Sequence, residues 1–306
     1  MPGITVEAYR PEDAEAALAV INDAFGFERS SDWFAWKHLN GPWGPSSGAI
    51  ASDDDGPVGV RLLLPWLFLL GSTEVLAYRA VEAATVPRAR GQGVFSALNR
   101  SLMEQVASRE EPTFIYSTPN EMSRDGYRKL GWTWLEPVRH EYRLAPIGCV
   151  PRRGATRLEG RAALTTFALR QSPSERIRTS WDPAALRWRF DQRSGNRYRA
   201  LALRSSEGTG GIVYRRIVTR RIPTLLPLLT WGRAELVHGA TAIVARDEQT
   251  PIMLDVHEPM RGLKLGIQRG DSLLSVWAPD QRWIHDHRVG EVNSWAVSFA
   301  DLESVL

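Results

Sequence analysis

The sequence predicts an α/β fold in which a mixed central sheet is flanked by helices and is followed by a second domain of related architecture. Stretches rich in β-branched and apolar residues alternate with segments whose apolar residues recur at helical spacing, which indicates strands and helices in turn. The length of 306 residues fits one large or two ordinary domains. A connector rich in proline and glycine over residues 145–156 marks the boundary, so we expect domains at residues 1–145 and 146–306.

The composition is that of a globular chain, with 43% hydrophobic residues, 24% charged residues and a formal net charge of +3. So small a charge gives no reason to expect nucleic acid as a partner. The longest apolar run, Leu62–Leu70, is too short to span a bilayer, and no charged-then-apolar leader opens the chain. We therefore expect a cytoplasmic protein with no membrane partner.

Cysteine and histidine usage gives no reason to expect a metal. The single cysteine, Cys149, excludes an internal disulfide and a cysteine-based zinc site. The six histidines lack metal-ligand spacing, and the one close pair, His285 and His287, is interpreted as part of a surface strand.

The first elements follow from local patterns. Ile4–Tyr9 is a predicted strand and Pro11–Phe25 a predicted helix. Aromatic residues at helical spacing predict a second helix over Asp32–Asn40. Two strands, Gly48–Ser52 and Pro57–Leu64, are joined by an acidic turn that ends in glycine, which is typical of a hairpin. The predicted buried stripe of the first helix consists of Ala17, Leu18, Ile21 and Phe25.

The central stretch of the first half combines a strand, a basic turn and a helix. Tyr78–Val86 is rich in apolar residues and predicts a strand, and the turn at 87–93 carries two glycines. From Val94 onwards the apolar residues recur on one helical face. The first backbone N–H groups of a helix have no partner within it, and the helix dipole makes this end positive. The stretch therefore predicts an anion-binding turn.

The remaining elements of the first half are shorter. Thr113–Ser117 is a predicted strand, and a loop over Pro119–Gly126 leads into a helical turn at Tyr127–Leu130. Gly131 is placed as the glycine that ends this turn. Arg139–Leu144 is predicted as the strand that closes the first sheet.

Short strings of the first half recur in the second. Trp36-Lys37 is followed 20 residues later by Gly56-Pro-Val-Gly59-Val, and Trp188-Arg189 is followed 20 residues later by Gly208-Thr-Gly-Gly211-Ile. Lys129-Leu-Gly has a counterpart in Lys264-Leu-Gly, but the interval is 17 residues shorter. We expect a degenerate tandem repeat whose second copy lacks the strand, basic turn and helix, with Leu225–His238 as a candidate for the helix. Chance matches are the alternative.

The basic turn resembles motif A of the GCN5-related N-acetyltransferases, the GNAT superfamily. It lacks the GxxxxGK[ST] and GxGxxG patterns of other phosphate-binding loops. The GNAT consensus, [QR]-x-x-G-x-[GA], fits in two registers. The preferred one begins at Arg90 and places Phe95 where Gly or Ala is usual; the other begins at Arg88 and matches fully but places Pro87 less well. An ordinary strand-to-helix turn is the alternative. The resemblance implies an acetyl-CoA site formed by Thr85, Val86, Arg90, Gly91, Gln92, Gly93, Val94, Phe95, Ser96 and Asn120.

A second segment, Tyr127-Arg-Lys-Leu-Gly131-Trp132, resembles the Y-x-x-L-G-[FW] segment of the same superfamily. The resemblance implies that Tyr127 is the general acid that protonates the departing thiolate. It also implies that Asn120, seven residues earlier, bonds the pantetheine arm or an ordered water, although Ser123 replaces the usual alanine. The alternative for Tyr127 is a core residue at a helix end.

Glu82 is the candidate general base, because several GNAT proteins place a carboxylate at this point of the core strand. Strand alternation puts Tyr78, Ala80, Glu82 and Ala84 on one face. A solvated or salt-bridged glutamate is the alternative. The resemblance further implies that the developing oxyanion meets a backbone N–H near Val86. His38, after the Trp33 and Trp36 pair, is a candidate contact for an acceptor.

The resemblance implies transfer of an acetyl group from acetyl-CoA to a primary amine of a small molecule, such as an amino sugar, an amino acid derivative or an antibiotic-like amine. Direct attack in a ternary complex is expected, since no Cys or Ser nucleophile accompanies the turn. Residues 1–145 bind the acetyl-CoA, and residues 146–306, without such a turn, help to form the acceptor cleft. A homodimer is possible. The alternatives are an aminoacyl-tRNA-dependent tandem GNAT transferase and a non-catalytic CoA-binding module.

Overall fold

A computed structural model describes residues 3–146, 154–168, 175–191, 197–256 and 264–302. Within these ranges the chain forms two mixed sheets flanked by helices, which confirms the predicted α/β fold. The predicted division between residues 145 and 146 stays a prediction. Cys149 and most of the connector lie outside the described residues.

The first half begins with the elements that the local patterns predict. Its strands are β1 (Thr5–Ala8), β2 (Ser47–Asp53), β3 (Gly56–Leu70), β4 (Thr73–Thr85), β5 (Ile115–Ser117), β6 (Thr133–Trp134) and β7 (Val138–Leu144). Its helices are α1 (Ala14–Phe25), α2 (Ser31–Phe34), α3 (Val94–Ala107) and α4 (Glu121–Lys129). A π-helical turn, Ala35–Leu39, continues α2, and short 3₁₀ turns precede α1 and α3.

The second half repeats this order with different lengths. Its strands are β8 (Thr156–Glu159), β9 (Arg178–Thr179), β10 (Arg199–Ser205), β11 (Gly208–Thr219), β12 (Ile222–Gly232), β13 (Ile252–Val256), β14 (Lys264–Ser272) and β15 (Ser275–Trp277). Its helices are α5 (Gly160–Ala168), α6 (Pro183–Arg189), α7 (Ala234–Asp247), α8 (Gln281–Asp286) and α9 (Phe299–Leu302). None of the described helices is long and apolar enough to cross a membrane.

The two sheets have corresponding strand orders. The first runs β1-β2-β3-β4-β5-β15-β6, with β9 paired to β3, and the second runs β8-β10-β11-β12-β13-β7-β14. Neighbours are antiparallel except for β4 with β5 and β12 with β13, which are parallel and stand at the same place in each sheet. The second half therefore has the same plan as the first.

The halves exchange one strand each. The sequence predicts that Arg139–Leu144 closes the first sheet, and this is wrong: the strand forms as β7, but it pairs with β13 and β14 of the second sheet. Its place beside β5 is taken by β15, where Val276 lies opposite Tyr116. A strand's apolar pattern shows that it pairs but does not show its partner. The exchange ties the two halves together.

A reciprocal tryptophan contact joins the halves at the repeated Trp-basic string. The indole Nε1 of Trp36 donates to the carbonyl oxygen of Trp188 at 2.8 Å, and Nε1 of Trp188 donates to the carbonyl oxygen of Trp36 at 2.7 Å. Their rings stack with centroids 5.5 Å apart. The buried apolar side chains around them form one core that includes both halves. The repeated string therefore marks an axis of approximate symmetry.

The prediction for the rest of the second copy is partly wrong. Leu225–His238 is not one helix. Its first part belongs to strand β12, and helix α7 begins only at Ala234. Strand and helix are thus both present, and only the long basic turn is missing. The match of Lys129 with Lys264 is also wrong, since the first ends α4 and the second begins β14.

Three smaller predictions need correction. Phe25, assigned to the buried stripe of α1, is 45% exposed, because α1 ends there at Gly26. Residues from Glu121 onwards, predicted as loop, form α4, which Asn120 caps. His285 and His287 belong to helix α8 and its end, not to a strand.

Candidate active site

The turn between β4 and α3 leaves the start of α3 open to an anion. Gly91 and Gly93 have φ values of 77° and 81°, in the left-handed region that favours glycine, and Gly93 is the N-cap of α3. The first hydrogen bond of the helix runs from the N–H of Ala97 to the carbonyl of Gly93 at 3.0 Å. The N–H groups before Ala97 therefore point out of the helix end, where the dipole is positive.

The space above this turn is empty, whereas the helix beneath it is closely packed. A Cβ placed on Gly91 or Gly93 meets no heavy atom within 4 Å. A Cβ on Gly59 of β3 would come within 2.5 Å of Val94, so α3 rests directly on the sheet there. A firmly held helix end with an open glycine turn fits a diphosphate group of the kind that coenzyme A carries.

The side chains of the turn brace it from outside. Arg88 forms an ion pair with Asp53 at the β2–β3 turn. Arg90 donates to the carbonyl oxygens of Ala24 at 2.8 Å and Thr85 at 3.3 Å, which ties the turn to the end of α1. Gln92 donates to the carbonyl of Arg88 at 2.9 Å. Because both guanidinium groups are already engaged, the backbone amides of the turn are the groups that remain for an anion. Contact of Arg90 and Gln92 with a cofactor stays a prediction.

Next to the turn, β4 and β5 diverge. Their pairing consists of Tyr78 with Ile115 and Arg79 with Tyr116, and β4 then continues to Thr85. The N–H of Val86 donates to the carbonyl of Val58 at 2.9 Å. This amide is thus already used, so an oxyanion would need a different donor than the one implied at Val86. Beyond Arg79, β4 therefore continues past Glu82 to the turn without pairing to β5, and we call the space beside this unpaired stretch the gap between the strands.

Tyr127 reaches the same gap from α4. Its side chain is 1% exposed, and its hydroxyl contacts the guanidinium of Arg61 and lies 2.9 Å from Oγ of Ser117 at the end of β5. The phenol is buried, as the alternative interpretation of Tyr127 as a core residue predicts. Its hydroxyl nevertheless faces two polar groups, Arg61 and Ser117. The guanidinium stands where negative charge would develop if the hydroxyl gave up its proton.

Phe95 connects the turn to this tyrosine. Its ring meets the ring of Tyr127 edge-on, with centroids 5.5 Å apart. A Cβ on Gly126 would come within 2.5 Å of the Phe95 ring. The bulky residue at a position where Gly or Ala is usual is therefore matched by a glycine in α4. This contact sets the distance between the anion-binding turn and the candidate acid.

The other predicted cofactor residues lie around the start of α3 and α4. Val94 is buried against β3, and Ser96 is half-buried in the first turn of α3. Asn120 is exposed, and its Oδ1 accepts the N–H of Ser123 at 3.0 Å, so its side chain caps α4. The sequence did not predict this cap. A contact of Asn120 with a pantetheine arm stays a prediction.

Glu82 lies in a β-bulge of β4. Val81 is opposite Leu62 and Ala84 is opposite Val60, so Glu82 and Ala83 together face a single residue of β3. The bulge shifts the alternation by one residue, which makes the prediction that Ala84 shares the face of Glu82 wrong. Glu82 itself has a φ of 51°, which is rare for a residue with a side chain.

The carboxylate of Glu82 is surrounded by two basic side chains. It forms an ion pair with Lys37, and its Oε1 lies 3.7 Å from Nε2 of His38. Burial alone would raise the pKa of Glu82, but these neighbours outweigh it and hold the pKa at about 2. Burial lowers the pKa of His38 to about 4 and also lowers the pKa of Lys37. The open alternative of a salt-bridged glutamate thus describes this contact, while its role as a base stays a prediction.

The structure adds residues that the sequence analysis did not assign to the site, namely Arg61, Ser117 and Lys37. Arg61 is a lone charged residue in the apolar run of β3, and such a residue in a buried strand is a signal for a polar partner. Trp33 and Trp36 are buried in the core, and His38 is fully buried, so these three do not form an open platform for an acceptor. Among the described residues, no group of His, Cys, Asp and Glu side chains is arranged to hold a metal ion.

Comparison with known proteins identifies the fold. The family model described as "Acetyltransferase (GNAT) domain" matches residues 5–135. None of the curated protein sequences matches the chain. At 15% identity and a TM-score of 0.69, a probable N-acyltransferase from Enterococcus faecalis V583 aligns over 91% of this chain and 73% of its own.

Two further solved structures are similar over the same span. A GCN5-related N-acetyltransferase from Anabaena variabilis ATCC 29413 shares 10% identity with a TM-score of 0.71, over 91% of this chain and 73% of that one. A tandem GNAT protein from the clavulanic acid biosynthesis pathway shares 10% identity with a TM-score of 0.54, over 91% of this chain and 99% of that one. At these identities the likeness concerns the fold, and it extends through both halves.

Proposed function

We propose that this protein moves an acetyl group from acetyl-CoA to a primary amine of a small molecule. The match of residues 5–135 to the family model of the GNAT acetyltransferase domain supports this proposal. The acceptor class is an amino sugar, an amino acid derivative or an antibiotic-like amine, and we place it between the two halves. The observation that carries the proposal is the open turn at the start of α3, with Gly91 and Gly93 in left-handed conformation above a firmly packed helix end.

In this proposal the unpaired amides at the start of α3 hold the diphosphate. Gly91 and Gly93 let it approach the backbone, and Arg88 and Arg90 keep the turn in place through Asp53 and Ala24. Acetyl-CoA supplies an activated thioester. The gap where β4 leaves β5 would receive the arm that carries the thioester, because it opens directly beside the turn.

The proposed reaction forms a C–N bond and breaks a C–S bond. The hydroxyl of Tyr127 gives its proton to the departing sulfur, and Arg61 faces the oxygen that remains. Ser117, at 2.9 Å, is the group through which the phenol regains a proton. The hydroxyl is held by two partners and by the ring of Phe95, so it is fixed before substrate arrives.

The amine must lose its protons for this attack. With an ordinary amine pKa of about 10.4, deprotonation at pH 7 costs about 4–5 kcal/mol. Glu82 is the proposed group on the acceptor side: its carboxylate is ionised at neutral pH, attracts the ammonium, and receives a proton through water. Its low pKa of about 2 makes it a weak proton acceptor, so its negative charge supplies most of its effect.

Two measurements test this function. Acetyl-CoA should raise the midpoint of thermal unfolding, and a library of primary amines should contain members that release free thiol from acetyl-CoA in the presence of the protein. Thermal stabilisation without thiol release from any amine would indicate a CoA-binding module. No stabilisation, combined with a salt-dependent affinity for aminoacyl-tRNA, would indicate the tRNA-dependent alternative and contradict the proposal.

A further inference from the structure

The bulge in β4 contributes to a buried cluster of titratable side chains that consists of Glu82, Lys37 and His38. Glu82 has a positive φ although it carries a side chain, a conformation that L-residues adopt only at a cost in free energy. Such strain persists only where the surroundings fix it. Both basic side chains come from the segment that follows α2 and reach the carboxylate from one direction.

Lys37 binds the carboxylate and is shielded from solvent. Its side chain is 0% exposed, its ammonium forms an ion pair with Glu82, and it also lies 5.0 Å from the ring centre of Trp33. A buried ammonium is stable only with a counter-charge, and a buried carboxylate likewise. Glu82 keeps a side-chain exposure of 10%, so it is the member of the pair that can meet another molecule.

His38 supports the same carboxylate. Its Nδ1 lies 3.0 Å from Oγ of Ser46, and its Nε2 faces Glu82. If the hydroxyl of Ser46 donates to Nδ1, the ring proton sits on Nε2 and points to the carboxylate. Lys37 and His38 are adjacent in sequence, and in a regular helix adjacent side chains lie about 100° apart.

The π-helical turn explains how both reach one group. The N–H of Asn40 bonds to the carbonyl of Ala35 at 2.9 Å, an interval of five residues that widens the turn. Such turns are often found at functional sites. The wide turn and the bulge with its strained glutamate are two irregularities on different elements, and both converge on the same carboxylate.

Resting on the function proposed above, we propose that Lys37 and His38 are positioning residues that hold Glu82 as a fixed negative charge for the ammonium group of the acceptor. They do not touch the acceptor themselves. Glu82 stands three residues beyond the last pairing of β4 with β5, at the mouth of the gap. A cationic acceptor is then drawn to the place where its nitrogen can meet the thioester carbon.

The charged groups around the cluster agree with this assignment. Arg79 on β4 and Arg29 before α2 both lie near enough to lower the pKa of Lys37. Arg61, on β3 opposite the bulge, is engaged with Tyr127. Of the basic groups in this region, Lys37 and His38 are the ones that hold the pKa of Glu82 down and favour its ionised form.

The test is the pH dependence of kcat/KM for the amine that the thiol-release assay selects. In the wild type, kcat/KM should fall towards low pH with the titration of the amine alone, because Glu82 stays ionised above pH 5. In Lys37→Met the carboxylate loses its counter-charge and burial raises its pKa. We expect a second titration between pH 5 and 8 and a loss of at least about tenfold at pH 6 that shrinks at pH 9.

Three variants complete the design. Lys37→Arg keeps a positive counter-charge beside Glu82 and should restore the wild-type profile. Lys37→Met/Glu82→Gln should lack the second titration. His38→Gln removes the weaker of the two neighbours and should move the profile in the same direction by a smaller amount.

A purely structural role would lower kcat/KM of Lys37→Met equally at all pH values, and that result overturns the proposal, as does an unchanged profile of His38→Gln. A readout without turnover separates this proposal from the proposed function. Carboxyl-carbon NMR of Glu82 should show a higher pKa in Lys37→Met than in the wild type. A shifted carboxyl in a protein that acetylates no amine would contradict the function but support the charge arrangement, whereas turnover with an unshifted carboxyl would contradict the arrangement.

Discussion

The turn after β4 and the turn after β12 stand at the same place in two similarly built halves. The first runs through residues 86–93, and a Cβ on either of its glycines Gly91 and Gly93 meets open space. The second consists of Arg233 between β12 and α7. A Cβ on Gly232 would come within 2.0 Å of the carbonyl of Thr209, so this turn is filled by the neighbouring strand.

This difference shows that the scaffold alone does not make a binding site. Both halves have a strand that leaves a parallel neighbour and leads into a helix, and both helices have 14 residues. In the second half, Gly210 packs against Leu236, Arg233 and Val237, so β11 lies directly against the start of α7, as β3 does against α3. An anion can reach the helix end only where the turn is long and its glycines are uncovered.

The largest expected effect is on kcat, and it concerns Tyr127, the candidate acid beside the open turn. Tyr127→Phe removes the proton donor to the sulfur and should lower kcat by about 10²–10⁴-fold with little change in the Kd for acetyl-CoA. Steady-state kinetics and calorimetric titration measure the two quantities. Tyr142→Phe in β7, a buried tyrosine whose hydroxyl has no hydrogen-bond partner among the described residues, is the matched control. Full activity of Tyr127→Phe would remove Tyr127 as the acid.

The next effect tests the open turn itself. Gly93→Asp places a carboxylate before the start of α3, where it would repel the diphosphate, and we expect the affinity for acetyl-CoA to fall at least about a hundredfold. Gly71→Asp is the control: Gly71 has a φ of 63° and open space around it, so it carries the same charge and backbone strain at the β3–β4 turn. Equal affinity of the two variants would count against the turn.

The corresponding change in the closed turn should affect stability and leave binding intact. Gly232→Ala puts a Cβ against Thr209 and Gly210, and Gly232 has a φ of 85°. We expect the free energy of unfolding to fall by about 2–5 kcal/mol, from overpacking and backbone strain together. Chemical denaturation measures this change, and titration of the folded fraction should give an unaltered Kd. A weaker affinity without a loss of stability would show that the second turn also binds.

The smallest effect tests the symmetry between the halves. Trp36→Phe and Trp188→Phe each remove one of the two reciprocal hydrogen bonds and some ring volume, and each should lower the free energy of unfolding by about 2–3 kcal/mol. Because the two rings stack, the double variant should lose less than the sum. Trp43→Phe, whose Nε1 has no partner in the described part of the chain, controls for ring volume. Markedly unequal single losses would mean that the contact is not symmetric.

Local patterns in the sequence predicted much of the scaffold. The strands, the hairpin, the glycine turn and α3 depend on residues close together in the chain, and they form where the pattern places them. The exchange of β7 and β15 was not predicted, because the side-chain pattern of a strand does not specify which of two sheets it joins. The repeated string in the sequence contains Trp36 and Trp188. Their reciprocal hydrogen bonds were not predictable, because the two residues lie 152 positions apart in the chain.

The site residues that belong to a continuous sequence motif could be predicted. The contacts between residues far apart in the chain could not. Gly91, Gly93 and Tyr127 lie in short recognisable segments. The environment of Glu82 depends on a bulge, a π-helical turn and a side chain 45 residues away, none of which has a sequence signal strong enough to predict it. Arg61 reaches Tyr127 across 66 residues in the same way.

The most direct measurement of the central claim is a titration of the ¹⁵N-labelled protein with acetyl-CoA, followed by amide chemical shifts and by calorimetric stoichiometry. A single bound molecule per chain should shift the amides of residues 91–96 strongly and leave those of 232–237 in place. Two molecules per chain, or shifts centred on the amides after β12, would contradict the assignment of binding to the open turn alone.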